Sequence, residues 1–275
     1  MNLLLDIGGT KTRIAVSKNL DKLDAVKVIP TNKNYKKFLS EVKQIADGFC
    51  KKYKAVCAGV PSSVSKIGII QPPNLKNFRG KNIKNDLEKI FNFEKIFVLN
   101  DTQLSCIAEA KTESHTVSLN DSSPSFDKSQ SYSIEESLLY ITVSTGIGSS
   151  FFKSIQNTSN TEIGKTVVVK DSNYIFIENL ISGTAKKNYK DKNLYLENLH
   201  KYLSLGLHNF LIANKVDVVV FGGGVGTSGK LKTSLIKKQL NKIKYNYQIP
   251  KLKISTLGDT NGVLGAMYYL KKYEL

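Results

Sequence analysis

Arginine is nearly missing from this sequence. It occurs only at Arg13 and Arg79, although Lys plus Arg total 40 against 23 Asp plus Glu, a formal net charge of +17. Base readout and phosphate forks favour guanidinium groups, and the lysines are scattered rather than blocked. Nucleic acid is therefore not the expected partner. The surplus charge reads as a general pull on ATP and other anions, beside the plain alternative of a lysine-biased composition. Cysteine is also sparse: Cys50, Cys57 and Cys106, an odd number with no CxxC. That spacing gives no disulfide framework and suits free thiols in a reducing cytoplasm. No apolar run approaches the roughly 18 residues of a membrane span, and NLLLDIGGT lacks the basic and long apolar regions of a secretory leader. The expectation is a cytoplasmic protein with no membrane partner.

What is present is enough to build a core. Hydrophobic residues make up 41% of 275 positions, a length that suits two domains of ordinary size. Along the chain the pattern reads as strands NLLLDI, TRIAVS and AVKVIP, a helix through FLSEVKQIADGF, a strand ending at Pro61, then helix IKNDLEKIF, strand KIFVLN and a short helix TQLSCIAEA. Residues 111–136 are rich in Ser, Asp and Asn with little periodicity and read as a surface loop or linker. After it the pattern restarts. Strand LLYITV leads to a glycine-bearing tip, STGIGS, followed by strands SFFKSI and KTVVVK. A long helix carries Leu196, Leu199, Leu203, Leu207, Phe210 and Leu211 on one face. The chain closes with strand VDVVVFGGG, helix LKTSLIKKQLNKI, strand LKISTLG and helix GVLGAMYYLKKY.

One unit thus occurs twice: strand, polar glycine tip, strand, strand, then alternating helix and strand. The expected fold class is α/β, two related domains with mixed sheets and helices on their faces, facing a central cleft. The expected boundaries are 1–110 for a small N-terminal domain, 111–136 for the Ser-rich linker and 137–260 for a larger C-terminal domain. In such sheets ligands gather at the carboxyl ends of strands.

The chemistry concentrates at the tips. DIGGTKT is neither GxxxxGK[ST] nor GxGxxG. Gly8 and Gly9 let backbone N–H groups approach an anion. Thr10, Thr12 and Lys11 add donors. Asp6 would repel phosphate unless Mg²⁺ or its water shell lies between them; an ordinary hairpin with a polar turn is the plain alternative. Ser144-Thr145-Gly146-Ile147-Gly148-Ser149 has the same build. Gly222, Gly223 and Gly224 end a buried strand, where glycines permit close approach of a base or ribose or simply make a tight turn. Between the copies, Asn100 and Asp101 follow a strand and precede a helix. Asp101 reads either as a base for a hydroxyl proton or as an N-cap.

Taken together, these segments resemble the ROK family of sugar kinases in the actin-like (ribonuclease H-like) superfamily, over almost the whole chain apart from the Ser-rich stretch. DIGGTKTRIAV resembles the family's first phosphate motif, and GVPSSV with PPNL its sugar-side loop. LNDTQLSCIAEA resembles the catalytic segment and TVSTGIGSS the second phosphate motif. TEIGK and IENLISGTA resemble sugar-side segments, VVVFGGGV the adenosine strand, and LGDTNGVLGA the closing motif. The resemblance implies an ATP-dependent hexose kinase, with glucose the expected acceptor. Other hexoses such as fructose and mannose, N-acetylglucosamine, N-acetylmannosamine, or a non-catalytic sugar-binding regulator are the alternatives. It implies Asp101 as the base, Asp6 for magnesium, and Gly8, Gly9, Thr10, Lys11, Thr145, Gly146, Gly223 and Gly224 for ATP. Asn74, Asn100, Glu162, Lys165 and Glu178 fall on sugar positions. It also implies a C-terminal helix, 261–275, joined to the N-terminal domain, and a homodimer.

The departures from the family pattern are specific. Relatives carry a His after GEIG and a CxCGxxGC cluster for zinc; here Lys165 holds the His position and no Cys lies between Asn160 and Glu178, so no zinc site is expected. His115, His200 and His208 lie elsewhere and read as surface or capping residues. Ser62 replaces a sugar-loop glycine, and Ser144, Ser149 and Ser150 replace glycines around the second tip, which is costly wherever φ is positive. Regulators of the family carry a DNA-binding segment before the first motif; with Asp6 reached almost at once, none is expected here.

Overall fold

A computed structural model describes residues 1–92, 95–119 and 136–274. The chain divides into two compact units, Met1–Ala108 with Asp259–Leu275, and Glu109–Gly258.

The first unit holds β1 (Asn2–Ile7), β2 (Lys11–Ser17), β3 (Ala25–Pro30), α1 (Tyr35–Phe49), β4 (Val56–Val60), α2 (Ile83–Phe91), β5 (Ile96–Asn100) and the start of α3 (Asp101–Leu119). Its five strands run in the order β3-β2-β1-β4-β5. β1, β4 and β5 are parallel, and β2 and β3 are antiparallel to their neighbours. β1 and β4 are buried along their whole length, which is why both read as near-continuous apolar runs. Leu3, Leu5, Val56, Phe38, Phe78 and Leu87 lie in one core cluster.

The second unit repeats the plan. Its elements are β6 (Leu138–Val143), β7 (Ile147–Phe152), β8 (Thr158–Asn160), β9 (Val167–Lys170), β10 (Asn173–Phe176), α4 (Ile177–Ile181), α5 (Lys192–Ala213), β11 (Val218–Gly222), α6 (Gly223–Gly226), α7 (Thr233–Ile243) and β12 (Lys251–Ile254). The order β12-β11-β6-β7-β8 is that of the first sheet read from the other edge. β6, β11 and β12 are parallel. The stripe expected on α5 faces the core: Leu199, Leu203, Leu207 and Leu211 are buried, with Leu196 and Phe210 packed partly against them. The last helix, α8 (Asn261–Glu274), belongs to the first unit.

Three differences from the sequence pattern have simple causes. Helix α3 runs to Leu119, past the expected loop start at Lys111, because extending a formed helix over polar residues costs little; residues 120–135 of the Ser-rich stretch lie outside the described residues. β7 begins at Ile147 rather than after Ser149, so the second tip is only Ser144–Gly146. β8, β10 and α4 were not separable by pattern because each has five residues or fewer. No described helix is long and apolar enough to cross a membrane.

Candidate active site

In the first unit the tip between β1 and β2 closes with the Gly8 N–H donating to the Lys11 carbonyl at 2.9 Å. The exit of β3 braces it. The Thr31 N–H donates to the Thr10 carbonyl at 2.9 Å, the Thr31 hydroxyl donates to the Gly8 carbonyl at 2.7 Å, and the Lys33 ammonium donates to the Gly9 carbonyl. Thr10 and Lys11 are exposed. Thr12 is not available as an anion donor: it is fully buried, its hydroxyl 2.9 Å from that of Thr31. Its place in β2 turns it inward by the alternation of strand side chains. Asn74 lies over Gly9, whose β-carbon position is 3.4 Å from that of Asn74.

Asp6 pairs in register with Gly59 of β4, and Gly59 with Leu99 of β5. This line crosses the carboxyl ends of three parallel strands, where α/β sheets hold ligands. Asp6 is buried and accepts from Arg13 at 3.0 Å; the other guanidinium nitrogen of Arg13 reaches Asp259 at 2.9 Å. Burial raises the Asp6 carboxyl above its ordinary range despite the opposing pull of Arg13. At Gly59 a β-carbon would lie 3.4 Å from Cα of Asp101 and 2.9 Å from Cδ1 of Leu104, so glycine lets the start of α3 sit directly on the sheet.

The capping question at this helix start has a definite answer. Asn100 takes the N-cap work: its Oδ1 accepts from the N–H groups of Thr102 at 2.9 Å and Gln103 at 3.3 Å, and its Nδ2 donates to the Ser62 carbonyl at 3.1 Å. Asp101 is left as the first helical residue, accepting from Thr102 at 2.8 Å from the N–H and 3.3 Å from the hydroxyl. Desolvation chiefly, and then the charge of Asp6, push its carboxyl up to about 7, against the pull of the Thr102 donors. A carboxylate with that value is poised to accept a proton near neutrality.

In the second unit the tip Ser144–Gly146 is clasped by the turn after α4. The Gly183 N–H donates to the Ser144 carbonyl at 2.5 Å, and the Thr184 hydroxyl to the Thr145 carbonyl at 2.8 Å. Glu178 accepts from the Ile147 N–H at 2.9 Å and from the Lys165 ammonium at 2.5 Å. The hairpin β9–β10 makes that ion pair possible: its register places Val167 opposite Phe176, which brings the residues just outside it together. Glu162 is exposed and left-handed, with φ of 49°, a conformation that costs free energy outside glycine and often marks a functional site. The serines replacing glycines cause no such cost. None of Ser62, Ser144, Ser149 and Ser150 has positive φ. Ser149 is wired to the Glu162 turn instead, accepting from the Ile163 N–H at 2.9 Å and the Thr161 hydroxyl at 2.7 Å. At the end of β11, Gly223 has φ of +78° and Gly224 has open space where a side chain would be.

Asp6, Asp101, Asn74, Asn100 and the first tip therefore share one unit, and the second tip, Glu162, Lys165, Glu178 and Gly223–Gly224 share the other. Arg13, Gly59, Asp259 and Gly262 were missed in the sequence; only the rarity of arginine marked Arg13. Among the described residues no three His, Cys, Asp or Glu side chains are grouped to hold a metal. Magnesium does not need such a cage, since it keeps several waters and takes one or two carboxylates, and Asp6 Oδ1 makes no hydrogen bond among the described residues. His200 is buried rather than on the surface, its Nε2 accepting from the Lys232 N–H at 3.0 Å. His208 lies 2.8 Å from the Tyr247 hydroxyl, and the His115 side chain lies outside the described residues.

A model of the ROK family matches residues 3–120 and 156–273. No curated protein matches the sequence. Among solved structures the fold is similar to a ROK hexokinase from Thermus thermophilus, with 22% identity, 99% of each chain covered and a TM-score of 0.75. It is also similar to a ROK family glucokinase from Streptomyces griseus in complex with glucose and AMPPNP, with 17% identity, 97% of each chain covered and a TM-score of 0.71. A third likeness is to a ROK family transcriptional regulator, a homolog of the E. coli MLC protein. There the identity is 14%, the cover is 99% of this chain and 78% of that one, and the TM-score is 0.76.

Proposed function

This chain belongs to the ROK family, and on that premise we propose that it is an ATP-dependent sugar kinase. It transfers the γ-phosphate of ATP to a hexose hydroxyl, with glucose the expected acceptor and Asp101 the general base. The observation that carries the reading is the Asp101 carboxyl, pushed up to about 7 by desolvation and by Asp6. An acid merely capping a helix gains nothing from that placement, and Asn100 already does the capping. The cytoplasm is the proposed location, where Cys50, Cys57 and Cys106 stay free thiols as they are here.

Asp101 takes the proton of the sugar hydroxyl as its oxygen attacks phosphorus. Most of the rate comes from positioning and charge stabilisation. Backbone N–H groups of Gly9 and Gly146, with Thr10, Lys11 and Thr145, hold phosphate oxygens; Gly8 serves by closing the tip onto the Lys11 carbonyl, and Gly223 and Gly224 leave room for adenosine. Asp6 would hold a magnesium ion, and the ion would supply charge neutralisation on the phosphates. Glu162 and Glu178 accept from sugar hydroxyls, and Asn74 accepts from or donates to them. Lys165, fixed by Glu178 at 2.5 Å, offers its remaining N–H groups to the same ring. Asn100 contributes chiefly by joining the Ser62 loop to the start of α3.

The test is a coupled assay of ADP release with Mg-ATP against glucose, mannose, fructose, allose, N-acetylglucosamine and N-acetylmannosamine. Sugar-dependent release that drops roughly 10²–10⁴-fold in Asp101→Asn supports the assignment. The likeness to a regulator at a TM-score of 0.76 supplies the second reading. No release with any sugar, while sugars still raise the melting temperature, would place the chain among sugar-binding regulators.

A further inference from the structure

The first unit carries a cavity that the kinase reading does not use. It lies between β3, an edge strand of its sheet, and α1, and has a volume of about 720 Å³. That falls within the roughly 300–1,000 Å³ of small-molecule sites. Helix α1 turns Phe38, Val42 and Ala46 into the core. Glu41, Ile45 and Gly48, at i, i+4 and i+7, form the neighbouring stripe and line the cavity. Its apolar wall is Ile29, Ile45 and Phe49, which the core covers only in part. Alternation along β3 puts Lys27 on the same face as Ile29, and Lys27 and Gln44 line the cavity while exposed to solvent.

Gly48 keeps this space open. A β-carbon there would meet nothing within 4 Å. Glycine weakens a helix, and its usual use at a helix end is a left-handed cap. Gly48 has no such use: its φ is not positive, and the C-cap is Cys50 in extended backbone. The charges are also arranged for a ligand. Glu41 is the acid among the lining residues, and it accepts from Asn32 Nδ2 at 2.7 Å. Lys27 forms no ion pair among the described residues. Its ammonium can therefore answer an anionic group on a molecule whose apolar part lies on Ile29, Ile45 and Phe49, with the Gln44 amide as a further donor.

We propose that the cavity between β3 and α1 binds a small amphipathic monoanion, an apolar body with one carboxylate or similar head, and that its occupation tightens ATP binding. One short segment faces both places. Ile29, Pro30 and Asn32 line the cavity. Thr31, between them, donates to the carbonyls of Thr10 at 2.9 Å and Gly8 at 2.7 Å, and Lys33 donates to that of Gly9. The Asn32–Glu41 bond ties the same segment to α1. A body held between β3 and α1 fixes this segment, and with it the first tip. Less ordering is then left for ATP to impose, and pre-ordering raises affinity. The cavity stands without the kinase reading; its link to ATP rests on that reading.

The experiment uses the full chain. Anilinonaphthalenesulfonate, an aromatic body with one sulfonate, is titrated by fluorescence. Octanoate and phenylacetate compete as acyl and aromatic carboxylates, and octanol is the uncharged control. The expected result is binding of the probe, displacement by a carboxylate and about tenfold weaker displacement by octanol. Probe affinity falls about tenfold or more in Gly48→Leu, which fills the space with a better helix former. It falls about tenfold in Lys27→Met, the worth of a charged hydrogen bond. Lys237→Met, exposed on α7 of the second unit, leaves it unchanged. Mg-ATP, titrated by calorimetry, binds about fivefold tighter with the displacing carboxylate present, a modest coupling between sites, and gains nothing from it in Gly48→Leu. Equal probe affinity in wild type, Gly48→Leu and Lys27→Met overturns the site. Octanol as effective as both carboxylates overturns the anionic head. ATP affinity that stays level or falls with the carboxylate overturns the link. No ATP binding at all, with the probe still lost in both variants, removes the kinase reading and leaves the cavity as a binding site.

Discussion

Asp6 rests its carboxylate on the backbone of Gly262, the second residue of α8: a β-carbon there would lie 2.6 Å from Cγ of Asp6 and 2.8 Å from its Oδ2. The closing helix therefore offers its positive end to the acid proposed to hold magnesium. Arg13 fixes the same acid from the side and reaches Asp259 just before that helix.

Gly262→Ala should displace a side chain that is buried and already tied to Arg13. A loss of about 1–3 kcal/mol of stability is expected, the usual range for overpacking, together with a fall in turnover. Denaturant unfolding and steady-state kinetics on one preparation check it. Lys271→Ala, at the exposed far end of the same helix, serves as the control and should change neither.

Asp101→Asn should stabilise the protein as it inactivates it. A carboxyl whose folded value is raised to about 7 adds stability that is complete below its unfolded value and lost as pH rises through 7. Above pH 7 the wild type therefore holds an unfavourably desolvated charge that asparagine removes. The melting temperature of the variant should exceed that of wild type at pH 8, and the gap should close toward pH 4. A gap independent of pH would show that Asp101 is not strongly desolvated.

Asp6→Asn should move the acid limb of activity. In wild type kcat/KM should rise with pH through about 7 as Asp101 loses its proton. Removing the Asp6 charge lowers the Asp101 value, so the limb should shift to lower pH even as the maximum rate falls for want of a magnesium ligand. A limb left in place would mean that burial alone sets the Asp101 value.

Lys165→Met should separate sugar from nucleotide. The ion pair with Glu178 is half-exposed, 48% on the lysine side, and such pairs add little stability. Its expected effect is on the sugar: KM for the sugar should rise roughly tenfold, the worth of a charged hydrogen bond, with KM for ATP unchanged. Equal KM values for the sugar would mean that the lysine points to water.

Much of this protein was legible from local pattern. Apolar runs around GGTK and STG, and the leucine stripe of α5, specify strands and a helix because period and composition are local properties. The duplication was readable for the same reason, and both five-stranded sheets follow it. The tips and Asp101 stood out as candidates because glycines and an acid fall together at strand ends. Tertiary structure alone decided which groups touch. Thr12 reads as a phosphate donor beside Thr10, but strand alternation buries it against Thr31. Asn100 and Asp101 are equivalent caps in sequence; only the Ser62 carbonyl on one side, and burial together with the charge of Asp6 on the other, assign the cap to the first and the raised pKa to the second. Gly262 meets Asp6 across a separation that no periodicity spans. Such contacts depend on how strands and helices pack in three dimensions, and the sequence encodes that only through the whole fold.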